Sequence, residues 1–290
     1  MAIYNKMGTT LPDAYGVDGS AIDTGYDVDG EVVFTKQPDY SRPTVSTIGG
    51  SVSYSNTQGI DVHGDTLAVW NGSGSIRLLN VNTLSSIATI STGSSVHGND
   101  ISFSTEYYAD GDPFPLLYVD SNPCFRIQNS GGSWSATLIY SLRTPNVYGM
   151  KIADSFNGNT LITIGYSENR YTYTDTNKLI IAKWDMTDLT DNGDGTYTPA
   201  LLGTVTRDWL ECIQGASYHD GYLWVASGLE NAPLNGRVYA LDLDTGDIVY
   251  NIDLGSAHEL EGLAWAYNST DGWYMIFGQV SVGFRKITFA

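Results

Sequence analysis

The chain has 290 residues, of which 42% are hydrophobic, and it carries a formal net charge of −18 at pH 7. This length suffices for one large or two modest domains with a hydrophobic core, and the 32 glycines and 20 tyrosines favour strands and turns over helices. The negative charge argues against nucleic acid and anionic lipid as partners, because both would be repelled.

The N-terminus, MAIYNKMGTT, has no basic region followed by an apolar run, and the chain has no apolar stretch long enough to cross a bilayer. We therefore expect neither a Sec-type signal peptide nor a membrane span. The two cysteines, Cys124 and Cys212, lack the spacing of metal ligands. We expect them to be small core residues, and a disulfide is the alternative.

Residues 1–42 differ from the rest of the chain. The segment YGVDG (15–19) recurs as YDVDG (26–30), and each is a short strand that runs into an Asp-Gly turn, which predicts a β-hairpin. The segment is too small to hold a core, so we expect it to pack on the rest of the chain, on a sister chain in a homo-oligomer, or on a partner. Both turns lack the further oxygen ligands of a calcium loop; we expect no cofactor, and Ca²⁺ is the one ion left open.

The remaining chain contains a repeated segment. QGIDVHGDTLAVW (58–70) and QGASYHDGYLWVA (214–226) share Gln-Gly, a histidine, a Gly/Asp turn and Leu-x-Val. Three weaker relatives are HGNDISF (97–103), YGMKIAD (148–154) and EGLAWAY (261–267). Each begins a series of strands, four in every unit except the last, which has three. Units of four strands that recur at about 40–50 residues are typical of β-propellers.

The strand VSTIGGSVSY (45–54) precedes the first unit and belongs to none. We therefore predict an all-β fold in which residues 43–290 form a five-bladed β-propeller, closed by this N-terminal strand and preceded by a hairpin-like anchor. The alternative is a β-sandwich or a β-helix. The predicted blades are 57–92, 96–142, 147–206, 213–254, and 260–290 together with 45–54. Two stretches of the third blade, 166–177 and 188–199, are predicted to be polar loops.

In a propeller the first strand of each blade lines the central channel, so the residues at the strand starts converge at one mouth. A glycine follows the first residue of each repeated segment, which would let the backbones approach the axis. In one interpretation these side chains bind a ligand, and in the other they tie neighbouring blades together. Unlike residues at equivalent positions favour the first. The candidate ligand-binding residues are Gln58, His97, Asn99, Asp100, Tyr148, Gln214, His258 and Glu261.

Other residues are expected to have structural roles. His63 and His219 fall in turns between first and second strands, at the opposite end from the anchors. Trp70, Trp224 and Trp273 lie on second strands and are expected in the core. No nucleophile elbow, zinc-binding His pair or phosphate-binding glycine loop is present, so an enzyme is not the first expectation. If the protein is an enzyme, Glu261 and Asp100 are the candidate acids, in the manner of glycoside hydrolysis.

Two resemblances add to this interpretation. Residues 214–250, with EGLAW (261–265), resemble a blade of the glutaminyl cyclase type of five-bladed propeller, which implies a cyclase-like enzyme. The QGID and HGND strand starts and the leader AYGVDG…GYDVDGEVVF resemble tail receptor-binding propeller proteins from phages of Gram-positive hosts. This second resemblance implies a virion protein, a tail fibre or a surface decoration, that leaves the host by lysis without a signal peptide.

The phage resemblance also implies the partners. Residues 1–42 would fasten the protein to other virion proteins or to sister chains. The propeller would bind a polysaccharide of the host surface. The remaining alternative is a purely structural virion protein with an idle channel.

Overall fold

The computed structural model describes residues 3–4, 10–11, 24–26, 32–35, 40, 43–48, 57–72, 74–94, 98, 100–120, 123–145, 148–156, 159–167, 178–209, 212–228, 236–255, 259–279 and 282–289. For the residues before 40, for residue 57 and for residues 148–156 it describes the backbone alone. Within these ranges every regular element is a β-strand, and no helix that could span a membrane is present. The all-β prediction is confirmed.

The chain divides into two compact units, residues 1–43 with 289–290, and residues 44–288. The first unit contains two antiparallel pairs. β1 (Ile3–Tyr4) pairs with β2 (Thr10–Leu11), and β3 (Thr24–Tyr26) pairs with β4 (Val32–Thr35). β3 and β4 flank the YDVDG segment, where the sequence predicts a hairpin. The first copy, YGVDG, lies outside the described residues.

The second unit holds the remaining strands in four larger sheets. The first sheet is β6 (Thr57–His63), β7 (Thr66–Asn71), β8 (Ser75–Asn80) and β9 (Ser86–Ser91). An eight-stranded sheet follows, built from β10 (Ile101–Phe103), β11 (Leu117–Val119), β12 (Pro123–Ser130), β13 (Ser133–Leu142), β14 (Tyr148–Phe156), β15 (Thr160–Tyr166), β16 (Lys178–Asp191) and β17 (Thr196–Asp208). The third sheet is β18 (Ile213–His219), β19 (Tyr222–Ser227), β20 (Arg237–Asp242) and β21 (Ile248–Asp253). The fourth is β22 (Leu260–Asn268), β23 (Gly272–Gln279), β24 (Gly283–Phe289) and β5 (Pro43–Thr47).

The eight-stranded sheet consists of two antiparallel groups of four strands. Its order is β10-β11-β12-β13-β17-β16-β15-β14, so the two groups meet at their last strands. The junction is a short parallel pairing of Ser141 with Thr196 and of Leu142 with Tyr197. Each group corresponds to one of the repeated units of the sequence.

One predicted loop is wrong. Residues 188–199 were expected to be a polar loop, but most of them extend β16 and β17 into a long hairpin. Leu189 pairs with Pro199 and Asp191 with Tyr197, beyond a bulge that follows Asp185. The alternation of Thr with larger residues in this stretch suits an exposed strand, which the abundance of polar residues obscured. Of the other predicted loop, 166–177, most residues lie outside the described ranges.

The first strands of the five repeated units lie beside one another in a cyclic order. β6 contacts β10, β10 contacts β14, β14 contacts β18, β18 contacts β22, and β22 contacts β6. The hydrophobic core is divided into clusters that lie between consecutive sheets. One cluster contains Ile60 and Val69 of the first sheet together with Ala264 and Phe284 of the fourth. Cys124 and Cys212 are buried and free, as the core interpretation predicts.

Candidate functional site

Four polar side chains meet where three first strands begin. Gln58 donates from Nε2 to Glu261 Oε1 at 3.3 Å, and Gln214 donates from Nε2 to Glu259 Oε1. Gln214 and Glu261 are buried, and the other two are half-buried. We call these four residues the polar mouth. Both glutamines of the repeated Gln-Gly motif are therefore linked to the start of β22.

Two aspartates hold the first strands together below the polar mouth. Asp100 is fully buried, and its Oδ2 accepts the backbone N–H of Ala216 at 2.9 Å. Asp100 directly precedes β10, and Ala216 lies in β18 of a different sheet, so this bond links two first strands. Asp61 Oδ2 accepts the N–H of Phe103 at 2.6 Å, which joins β6 to β10. These bonds favour the interpretation in which the strand-start residues tie the sheets together.

The glycines that follow the strand-start residues allow the first strands to approach one another closely. A Cβ at Gly59 would lie 2.4 Å from the carbonyl carbon of Asp100, and one at Gly215 would lie 2.6 Å from that of Gly262. Gly262 itself has a φ of +68° and lies against the backbone of Ile60. Backbone meets backbone here, so no larger residue fits, as the sequence predicts.

The carboxyl group of Asp61 has an unusual protonation behaviour. Burial raises its pKa from 3.8 to about 7, and the N–H groups of Phe103 and Val62 oppose the rise because they favour the charged form. The folded protein therefore holds the Asp61 proton at pH values where the unfolded chain has released it. The protonated Asp61 carboxyl group therefore stabilises the folded protein in full below the unfolded pKa of 3.8. This stabilisation is lost as the pH rises from there through about 7.

We expect the stability of the wild type relative to Asp61→Asn to fall as the pH rises. The neutral amide cannot ionise, so only the wild type loses the stabilisation that the protonated carboxyl group provides, a loss of about 2–3 kcal/mol between roughly pH 5 and 7. Urea unfolding of both proteins across this range measures the difference. A stability difference that stays constant with pH would contradict this assignment.

The sequence-predicted ligand residues are only partly described. Gln58, Gln214 and Glu261 come together at the polar mouth, and Asp100 lies deeper. Tyr148 begins β14, and its backbone alone is described. Three further candidates, His97, Asn99 and His258, lie outside the described residues. Ligand binding by this group stays a prediction.

A second feature lies at the other end of the same strands. β18 runs from the Gln214 end to His219, about 17 Å away at the usual rise of a strand. The ring of His219 stacks on Trp265 at 4.1 Å between centroids, and Trp273 lies 4.5 Å from it. Tyr267 contacts Trp273 at 5.5 Å. We call His219, Trp265, Tyr267 and Trp273 the His219 platform.

Two rings of this platform face solvent. Tyr267 is 58% exposed and Trp273 is 46% exposed, whereas Trp265 is buried beneath them. Burial lowers the pKa of His219 to about 4, so its ring is neutral at pH 7. The φ of Asp220 is +53° and that of Gly221 is +83°, the conformation of a tight hairpin turn, which fixes His219 at the strand end.

The sequence pattern did not predict this platform. Trp70 and Trp224 are fully buried, as expected, but the core assignment of Trp273 is wrong. Trp273 pairs with Tyr267 next to the turn between β22 and β23, so no further strand covers its ring. His219 was interpreted as a turn residue, and its stacking on a neighbouring sheet was not foreseen. Aromatic residues on both sides of the turn sequence NSTDG were the available signal.

A similar cluster surrounds the other repeated histidine. His63 lies within ring contact of Phe103 and Phe114, and its Nε2 is 3.1 Å from the hydroxyl of Tyr107. Tyr107 is 49% exposed and its neighbour Tyr108 is 53% exposed. We call these five residues the His63 platform. Within the described part of the chain, no cluster of His, Cys, Asp and Glu could hold a metal ion.

The fold and these surfaces define a β-propeller protein with an exposed aromatic platform. The chain is similar to the crystal structure of Myxococcus xanthus glutaminyl cyclase, with a TM-score of 0.52 and 14% identity over 85% of this chain and 95% of that one. Further similar structures are BamB from Moraxella catarrhalis (TM-score 0.32, 19% identity, covering 78% and 59%) and the Swd1 β-propeller domain of Myceliophteria thermophila (TM-score 0.42, 11% identity, covering 84% and 99%). No protein-family model and no curated protein matches the sequence. At such low identity the similarity concerns the fold alone.

Proposed function

We propose that residues 43–290 form a closed ring of five blades. The cyclic contacts of β6, β10, β14, β18 and β22 support five units around one axis. The core cluster shared by the first and fourth sheets supports closure, and so does the position of β5 beside β24. The eight-stranded sheet then represents two blades that touch at their outer strands. β5 would take the role that the sequence assigned to residues 45–54.

We propose further that this propeller binds a neutral glycan of a bacterial host surface. The observation that carries the proposal is the His219 platform, in which the exposed rings of Tyr267 and Trp273 contact each other and Trp273 lies against His219, which stacks on the buried Trp265. Single exposed apolar side chains are common on protein surfaces. A contiguous cluster of exposed aromatic rings, by contrast, marks an interaction site. The rings offer contact area at little cost in conformational entropy.

The exposed rings of the platform suit a sugar. A pyranose has an apolar face of C–H groups, which packs on an aromatic ring, and a rim of hydroxyls. Polar side chains of the same sheet cluster around Tyr274, on the opposite face from Tyr267 and Trp273, where Asn268 Nδ2 donates to Asp271 Oδ2 at 2.9 Å and Lys286 Nζ donates to the same oxygen at 2.6 Å. The net charge of −18 favours an uncharged glycan over an acidic one.

The virion role is the second part of the proposal. Its support is the resemblance of the strand starts and of the Tyr-x-Val-Asp-Gly leader to phage tail proteins. In this proposal residues 1–42 attach the chain to other virion proteins, and the propeller meets the host polysaccharide. The protein then reaches the outside of the cell as part of the particle.

An enzyme remains the alternative, with Glu261 and Asp100 as its acids. The hydrogen bonds argue against this alternative, because Asp100 is fully buried and accepts the N–H of Ala216. Glu261 is buried and accepts from Gln58. Both carboxylates are thus engaged in holding strands. A cyclase or glycosidase activity that Glu261→Gln abolishes while the fold stays intact would favour the enzyme.

A glycan array probed with the full chain tests the binding proposal. We expect the wild type to bind one class of neutral glycan and Trp273→Ala to bind at least about tenfold more weakly, the loss of one well-placed aromatic contact. The matched control is Leu202→Ala, which removes another exposed apolar side chain, 57% exposed on β17. Equal binding by wild type and Trp273→Ala would contradict the proposal. Absence of the protein from purified phage particles would contradict the virion role.

A further inference from the structure

The two copies of the repeated segment each contain one histidine, and these two histidines share a structural setting. His63 ends β6, and His219 ends β18. Each ring contacts an aromatic residue on the first strand of the next unit, Phe103 at 5.7 Å in one case and Trp265 at 4.1 Å in the other. Burial lowers the pKa of both histidines, so both rings are neutral at pH 7.

Each histidine also contacts one exposed ring, Trp273 at one platform and Tyr107 at the other. A second exposed ring adjoins each of these, since Tyr267 contacts Trp273 and Tyr108 follows Tyr107 in the chain. The rings of the His63 platform are held in place by specific contacts. The hydroxyl of Tyr107 meets His63 Nε2 at 3.1 Å, and the guanidinium of Arg126 lies 4.8 Å from the centre of the Tyr108 ring.

Arg126 is itself fixed by a neighbouring carboxylate. Its Nε and Nη2 donate to both oxygens of Asp112 at 2.7–3.1 Å, so the positive charge is neutralised and the side chain acts as a rigid support. Tyr108 therefore presents a pre-organised ring with a polar neighbour. Pre-organisation of this kind lowers the entropic cost of binding.

We propose that the His63 platform is a second binding site for the same class of neutral glycan, so that one chain binds two sugar units of a polysaccharide. This inference rests on the proposed glycan-binding function. Two linked sites would bind a polymer more tightly than either binds a short sugar, because the second contact is intramolecular. The duplication of the Gln-Gly-…-His segment would then serve binding as well as the architecture.

The test is ¹⁹F NMR of the full chain labelled with 3-fluorotyrosine. The signals of Tyr107, Tyr108 and Tyr267 are assigned with the Tyr→Phe variants, and chitotetraose, maltotetraose and mannotetraose serve as probes. We expect one of these sugars to shift the signals of both platforms. Tyr108→Ala should abolish the response of the Tyr107 signal and leave that of Tyr267 unchanged, with Leu202→Ala as the control.

The outcomes separate this inference from the function on which it rests. A sugar that shifts Tyr267 alone would overturn the second site and leave the proposed function intact. If none of the three sugars shifted the signals of either platform, both proposals would be overturned. A shift at Tyr107 that survives Tyr108→Ala, Arg126→Ala and their combination would also overturn the second site, because the binding would not depend on the exposed ring or its support.

Discussion

Replacement of Gly59 by alanine is expected to destabilise the protein by about 3 kcal/mol or more, at the upper end of overpacking effects. The new Cβ would lie 2.4 Å from the carbonyl carbon of Asp100 and 2.5 Å from the N of Ile101. These are backbone atoms of a different first strand, so they cannot rotate away as a side chain would. Relief requires β6 and β10 to separate, which also strains the bond from Phe103 N to Asp61.

The matched control is Gly203→Ala on β17. A Cβ at Gly203 meets nothing within 4 Å, so this variant should be as stable as the wild type or slightly more stable, by about 0.5 kcal/mol. Urea unfolding at equilibrium measures both variants. Equal stabilities for Gly59→Ala and Gly203→Ala would show that the first strands are not in backbone contact.

Replacement of Trp224 by alanine has the second largest expected effect, a loss of about 3–5 kcal/mol. Trp224 is fully buried and lies 5.3 Å from Trp265 between ring centroids. Its Nε1 also donates to the carbonyl of His219 at 3.3 Å. The substitution therefore removes core volume and a contact that holds the turn beneath the His219 platform. We expect glycan binding to be lost together with stability.

Trp273→Ala provides the contrast to Trp224→Ala. Its side chain is 46% exposed, so we expect a stability change below about 1 kcal/mol, typical of surface positions, but a clear loss of binding. Thermal unfolding of the two variants distinguishes them. If Trp273→Ala unfolded as easily as Trp224→Ala, Trp273 would be a core residue and the platform would not be a binding surface.

The strands were predictable because they repeat. QGIDVHGDTLAVW and QGASYHDGYLWVA both fold into a first strand, a tight turn and a second strand. The same sequence pattern locates β10, β14 and β22. Alternating polarity and Asp-Gly turns are local signals that survive in any tertiary context. The role of the glycine after each strand-start residue could likewise be predicted, because a residue without a Cβ at this position indicates a close approach of two backbones.

The site was less predictable because it depends on which sheet lies next to which. The sequence shows that Trp273 and Trp224 occupy second strands, but only the neighbouring sheet decides that one ring is covered and the other is not. The stacking of His219 on Trp265 joins residues of different sheets for the same reason. The hairpin over residues 188–199 was missed because an exposed strand and a polar loop have similar composition.

The polar mouth could be predicted only in part, for the same reason. Convergence of Gln58, Gln214 and Glu261 follows from equivalent positions in repeated units, and it could be predicted. The partners of each side chain could not, since the pairing of Gln214 with Glu259 depends on the path of the chain before β22. These pairs are consistent with a structural role, and ligand binding at the mouth stays a prediction.

A fluorescence titration tests most directly whether the His219 platform binds a host glycan. Cell-wall polysaccharides purified from a panel of Gram-positive bacteria are added to the wild type, to Trp273→Ala and to Leu202→Ala. We predict saturable quenching of tryptophan fluorescence by at least one polysaccharide in the wild type and in Leu202→Ala, and none in Trp273→Ala. Absence of binding to every polysaccharide, or binding by Trp273→Ala that equals the wild type when followed by co-sedimentation, would contradict the account.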